Sequence, residues 1–240
     1  MPLIDWNRAL HLLPALALAS IAPNAFPAAQ LGYATLHELA LYAILPSFAI
    51  LLATVAWSFL NARLGTARVI AAGALAGMLA TLALEAIRYP GFLLGWMPGN
   101  LPELMGVLLL DRFSEGPSIE STIAGFAYHA WNGASFGIIF AILAEIGIVR
   151  RTSIWAVGYG VLIGVGFLAS PVVQSLGGGF LGVEFGWRFA ATVLVAHAAF
   201  GFALSTALRM ALFYSRRVTR IAPSRLSDAS SAVVVRPETR

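Results

Sequence analysis

The sequence contains no cysteine, no lysine and few charged residues of any kind. Without cysteine the chain has no disulfide, thiolate nucleophile, Cys-ligated zinc, iron–sulfur cluster or c-type haem attachment. Charged residues make up 11% of the 240 residues, against roughly 25% in an ordinary soluble domain. Hydrophobic residues make up 59%, and the mean hydropathy is +0.83. This composition excludes a soluble domain and indicates a multi-pass membrane protein.

Long apolar runs predict six membrane-spanning helices. A helix needs about 20 mostly apolar residues to cross the hydrocarbon core, and five runs meet this length: Leu39–Phe59, Val69–Ile87, Ser121–Ile148, Ile154–Leu176 and Phe189–Phe213. A shorter run, Ala9–Ala22, is either a tilted first span or a signal peptide. Asp5 before it and Pro23 after it favour a retained span. The predicted fold is therefore all-α, a polytopic bundle of six transmembrane helices in residues 1–213.

The distribution of arginine predicts the orientation of the spans. The net charge of +4 includes fifteen arginines, and cytoplasmic loops are enriched in such residues. With a cytoplasmic N-terminus, the outer side holds only three of them, Arg88, Arg112 and Arg188. We therefore expect a bacterial inner-membrane protein with both termini in the cytoplasm.

Two segments outside the spans have distinct compositions. Residues 91–117 form an outer loop in which Leu101–Arg112 is predicted as a short interfacial helix. Residues 214–240 are predicted as a disordered basic tail that lies against the anionic inner leaflet. Because no folded basic domain is present, nucleic acid is excluded as a partner. The expected partners are the lipid bilayer and either another membrane protein or a second copy of the chain.

The last four spans show an internal repeat. A Gly-x-x-x-Gly pattern in the third span, Gly73 and Gly77, returns in the fifth as Gly160 and Gly164. A His-x-x-x-Gly pattern in the fourth span, from His129, returns in the sixth from His197. Small residues at this spacing let helix backbones approach closely. The pattern predicts a parallel repeat of two helices in spans 3–6.

Ionisable residues gather in the outer third of the predicted bundle. His129 and His197 lie roughly 12–14 Å below the outer ends of their helices, and Glu85 lies near the outer end of the third span. Ionisable residues inside a membrane indicate a functional site. The other residues expected to line the same pocket are His37, Glu38, Arg88, Asn132 and Gln174.

Several functions are consistent with this residue set. Imidazole and carboxylate ligands suit a divalent transition metal, with His129, His197 and Glu85 as ligands. The leading prediction is a transporter or handling protein that binds a metal ion or a small polar solute in a periplasm-facing pocket. One alternative is a redox subunit in which His129 and His197 ligate a single haem b, with Phe126, Phe136 and Phe200 lining its slot. Another is a structural or assembly subunit of a membrane complex.

An intramembrane hydrolase is the least favoured function, so an enzyme is not expected. Gly133, Ser135 and Gly137 form a G-x-S-x-G pattern, and with His197 they resemble the rhomboid proteases, which also have six spans. However, Phe136 follows the serine where rhomboids have glycine. Ser135 also lies roughly 7 Å deeper than His197, whereas a nucleophile and its base should be within about 3 Å.

From the third span onward the chain resembles small bacterial multi-pass proteins of uncharacterised function. The resemblance is carried by a His-x-x-x-Gly helix that follows a Gly-rich helix, here His129 to Gly133 and His197 to Gly201. It implies an inner-membrane location and no particular activity.

Overall fold

A computed structural model describes residues 6–61 and 64–231, and it describes no side chain for Asn7 or beyond residue 213. Six helices are long and apolar enough to cross a membrane, which confirms the predicted all-α membrane bundle. These spans 1–6 are Arg8–Gln30, Leu36–Leu60, Leu64–Leu93, Ile119–Glu145, Ser153–Ser175 and Trp187–Phe213. Spans 1 and 3 continue well beyond the predicted apolar runs, to Gln30 and Leu93, whereas spans 4 and 5 end slightly before them, at Glu145 and Ser175.

Span 3 lies at the centre of the bundle and packs against spans 4 and 6 along most of its length. Span 5 packs against span 6, and span 1 packs against span 4. Span 2 lies at the periphery, where it contacts spans 1 and 3. Span 2 contains a π-helical turn, Ala40–Ile44, between two α-helical segments.

Glycines allow the central helices to pack backbone against backbone. A methyl group on Gly77 of span 3 would overlap the carbonyl of Gly133 in span 4. In the same way, a methyl group on Gly160 of span 5 would overlap the carbonyl of His197 in span 6. Such close approach is how membrane helices associate where no hydrophobic effect draws them together.

The two glycine contacts are offset from the predicted alignment of the repeat. Gly160 meets the carbonyl of His197 itself, whereas Gly77 meets the carbonyl of Gly133, one turn after His129. In the contacts, the pair Gly77 and Gly133 therefore corresponds to the pair Gly160 and His197, whereas the sequence pattern paired Gly73 with Gly160 and His129 with His197. The register is shifted by one helical turn, and the duplication itself stays a prediction.

Span 1 is anchored to span 4 at two depths. The hydroxyl of Tyr128 donates a buried hydrogen bond of 2.7 Å to the carbonyl of Ala22. Glu145, at the end of span 4, pairs with both Arg8 and Arg151. We call this end of the bundle the arginine end, and the opposite end, which carries residues 94–118 and 176–186, the loop end.

The loop end has two short helical features. Leu101–Leu109 forms a helix where one was predicted, although it ends before Arg112. This loop helix packs tightly on span 4, where Gly106 and Gly125 allow backbone contact. Span 5 is interrupted after Leu168, and Pro171 starts a further short helix, Pro171–Ser175. Proline favours such a first turn because it has no N–H to donate.

Span 6 belongs to a longer helix, Trp187–Ser231, whose backbone continues into the segment predicted as a disordered tail. The side chains of residues 214–231, and residues 232–240 entirely, lie outside the description. The prediction about the tail therefore stays a prediction.

Candidate functional site: a polar cluster in an apolar cavity

A cavity of about 520 Å³ lies inside the bundle, toward the loop end. Spans 1, 3, 4, 5 and 6, the loop helix and Pro171–Ser175 all contribute to its wall. The wall is mainly apolar, and its side chains include Leu84, Met105, Phe136, Phe189 and Phe200. Its volume falls within the range of roughly 300–1,000 Å³ that is typical of small-molecule sites.

Arg88 of span 3 is the main polar group of this wall. It is 5% exposed and forms a bidentate ion pair with Glu85, in which Nε and Nη2 each donate a hydrogen bond of 2.7 Å to the carboxylate. Nη2 also donates to Oδ1 of Asn100, at 2.9 Å. The i,i+3 spacing places Glu85 and Arg88 on the same face of the helix.

His129 of span 4 contacts the same ion pair. Its Nε2 lies 2.9 Å from Oε1 of Glu85, although this contact does not have hydrogen-bond geometry. Asn132, one turn further along, is 9% exposed and lines the cavity with His129. His129 and Asn132 therefore lie on the same face of span 4, as predicted.

His197 of span 6 lines the same cavity as His129. Its Nδ1 makes a hydrogen bond of 2.8 Å with the carbonyl of Val193, so Nε2 is the ring atom left for a ligand. The imidazole stacks on Phe167, with ring centroids 6.3 Å apart. The structure therefore brings together the two histidines that the repeat pattern singled out.

Three residues predicted to line the pocket are placed elsewhere. His37 makes a hydrogen bond of 2.7 Å with the carbonyl of Leu109 at the end of the loop helix. Glu38 is the N3 residue of a capping box with Thr35, which the Thr-x-x-Glu pattern could have indicated. Gln174 is exposed and donates to the carbonyl of Ala169. The structure therefore does not place His37, Glu38 and Gln174 in the cavity wall, because His37 is held by the distant loop helix and the other two by groups within five residues of them.

The predicted metal centre is not supported by this arrangement. Among residues 6–61 and 64–213, no three His, Asp or Glu side chains are grouped to hold a metal ion. Both oxygens of Glu85 are engaged by Arg88. The Nε2 of His129 lies against the same carboxylate, so it is not free to serve as an axial ligand to haem. Of the three phenylalanines expected at a haem slot, Phe136 and Phe200 line the cavity and Phe126 does not.

Ser135 does not share the cavity with His197. It is fully buried and is not part of the cavity wall. The nucleophile and base of a hydrolase would have to face the same space, so this geometry does not support a hydrolase.

Two residues of the site were missed by sequence reasoning. Asn100 precedes the loop helix, where asparagine usually caps a helix, but its side chain accepts from Arg88 instead. Ser170 lies in the break of span 5, and its hydroxyl is buried against the cavity without a partner in the described part of the chain. The Ser-Pro sequence indicated the break in the helix but not that the hydroxyl would lie at a cavity.

Comparison with known proteins gives no match: no family model fits the chain, and neither a curated protein nor a solved structure is significantly similar to it.

Proposed function

We propose that this membrane protein binds a small solute with an apolar body and one polar group in the cavity, as a transporter or a handling protein. One observation carries the proposal. Three residues that line the cavity have a buried polar atom without a hydrogen-bond or ion-pair partner in the described part of the chain. These atoms are Arg88 Nη1, Asn132 Oδ1 and Ser170 Oγ.

Unpartnered polar atoms are costly inside a protein. Each costs about 1–3 kcal/mol when buried without a hydrogen bond, and natural proteins contain few of them. If these positions served only to pack the interior, apolar side chains would make the protein more stable. A bound solute supplies the missing partners, while the phenylalanine, leucine and methionine side chains of the wall suit its apolar body.

The wall of the cavity reaches the protein surface at two places. Pro98 and Gly99 are exposed residues that also line it at the loop end. Asn24 of span 1 and Gly166 of span 5 are likewise both exposed and part of the wall. We infer that solutes enter from the aqueous side of the loop end or laterally between spans 1 and 5.

The distribution of arginine supports an orientation for the cavity. Arg8, Arg150, Arg151 and Arg209 lie at the arginine end, and basic residues are retained on the cytoplasmic side. For a bacterial inner membrane, this distribution supports an orientation with both termini in the cytoplasm and the cavity toward the periplasm. The similar glycine packing of spans 3 and 4 and of spans 5 and 6 supports the internal repeat.

Filling the cavity is expected to abolish solute binding. Gly166 lines the cavity, and a Cβ atom added there would have no neighbour within 4 Å, so Gly166→Phe should place its ring in the cavity without disturbing the helix. Gly158 lies in the same span, has equally open surroundings and is not part of the wall, so Gly158→Phe is the matched control.

Binding would be measured by equilibrium dialysis of radiolabelled octanoate, octan-1-ol and octylamine against protein in a nonionic detergent, with empty micelles as background. We expect at least one of the three to bind wild type and Gly158→Phe, and none to bind Gly166→Phe. Equal binding to both variants, or no binding to wild type, would contradict a solute site. A Soret band or stoichiometric metal in the same preparation would instead favour a redox or metal-binding protein.

A further inference from the structure

The hydrogen bonds of Arg88 identify which part of its side chain is available to a ligand. A guanidinium has five N–H donors and no acceptor. Three of them are engaged, one from Nε and one from Nη2 by Glu85 and the second from Nη2 by Asn100. The two that remain are both on Nη1, which is buried and has no partner among the described residues. Arg88, which lines the cavity, therefore has two donors that no described residue engages.

We propose that Arg88 recognises a carboxylate, so that the solute of the cavity is an amphipathic anion with an apolar tail. This inference rests on the proposed function and specifies its substrate class. A desolvated guanidinium forms charge-assisted hydrogen bonds, about twice as strong as neutral ones, to carboxylate oxygens. Neither a neutral hydroxyl nor an ammonium group gains as much from the same two donors.

The charge of the wall favours an anion over a cation. Arg88 is the one residue with a formal charge among the described residues that line the cavity. Glu85 is not part of the wall, and it occupies the edge of the guanidinium formed by Nε and Nη2. The donors on Nη1 are therefore available to a second carboxylate that does not have to displace Glu85.

The shape of the cavity accommodates an apolar tail. Thr81 and Arg88 both line it from span 3, and seven residues of helix span roughly 10 Å. From Arg88 the wall continues past Leu84 to Phe136 and Phe200, with no formal charge on the way among the described lining residues. An extended hydrocarbon chain with its carboxylate at Arg88 is complementary to this wall.

The test compares head groups and tail lengths in the dialysis assay. The probes are octanoate, octan-1-ol and octylamine, which share one tail, and acetate, which shares the head group of octanoate. The variants are Arg88→Gln and the double variant Glu85→Gln/Arg88→Gln. Arg88→Gln leaves the Glu85 carboxylate unpaired and can fold poorly for that reason, whereas the double variant removes this carboxylate as well. Arg112→Gln is the control, because Arg112 pairs with Glu120 at the exposed surface, away from the cavity.

We expect wild type and Arg112→Gln to bind octanoate more tightly than the other three probes, and both Arg88 variants to bind octanoate roughly 10- to 100-fold more weakly. Unchanged octanoate binding in the folded Arg88 variants would overturn the inference. So would octan-1-ol, octylamine or acetate binding to wild type as tightly as octanoate. In those cases the solute site itself would stand if Gly166→Phe abolished the binding. If no probe bound wild type, both proposals would fail.

Discussion

Replacing Gly160 by leucine is expected to destabilise the protein by at least about 3 kcal/mol, and much of it should fail to fold. A methyl group at this position already overlaps the carbonyl of His197 and approaches the backbone of Gly201. Overpacking against side chains costs about 1–3 kcal/mol. The neighbours here are backbone atoms, which cannot rotate aside, so spans 5 and 6 would have to separate and His197 would be displaced from the cavity wall.

Gly158→Leu is the control for this prediction. It adds the same side chain to the same helix, two residues away, where nothing lies within 4 Å. Unfolding in mixed micelles with increasing SDS, followed by circular dichroism, measures both variants. Similar stabilities for Gly160→Leu and Gly158→Leu would contradict the close backbone contact of spans 5 and 6.

Replacing Glu85 by alanine should be comparably damaging, with a loss of about 3–5 kcal/mol. Arg88 is 5% exposed, and removing its partner leaves a buried charge without compensation. Replacing both members with neutral residues, as in Glu85→Gln/Arg88→Gln, should restore most of this stability, because a buried pair is often replaced at little net cost.

The exposed pair of Arg112 and Glu120 provides the comparison. Its side chains are 43% and 71% exposed, and surface ion pairs contribute about 0–1 kcal/mol. Glu120→Ala should therefore change the stability by less than about 1 kcal/mol. If Glu85→Ala and Glu120→Ala lowered the unfolding free energy equally, Arg88 would not depend on Glu85 for its burial.

Composition and periodicity were sufficient to predict the membrane helices and part of the site. The apolar runs identified all six spans because a bilayer requires long apolar helices. Matched positions of His129 and His197 predicted that they would share a space, and both line the cavity. Asn132 was predicted to share a face with His129, because residues i and i+3 lie on the same face of a helix.

Other features depend on contacts between distant segments and could not be read from spacing. Asn100 reaches Arg88 because the outer loop returns over span 3. The side chain of His37 does not line the cavity because its ring makes a hydrogen bond with the carbonyl of Leu109, at the end of the loop helix. Glu85 appeared to be a free ligand, yet Arg88, three residues later, engages both of its oxygens. This last pair is an exception, because its i,i+3 spacing was visible in the sequence and could have argued against Glu85 as a metal ligand.

Protection of an introduced cysteine tests most directly whether the cavity binds a solute. The chain has no native cysteine, so Gly99→Cys places a single thiol at the exposed rim of the cavity wall, and Ser175→Cys places one at an exposed position outside it. In membranes treated with N-ethylmaleimide, both cysteines should react, and octanoate should slow the labelling at position 99 without affecting position 175. A cysteine at position 99 that octanoate does not protect would contradict the account.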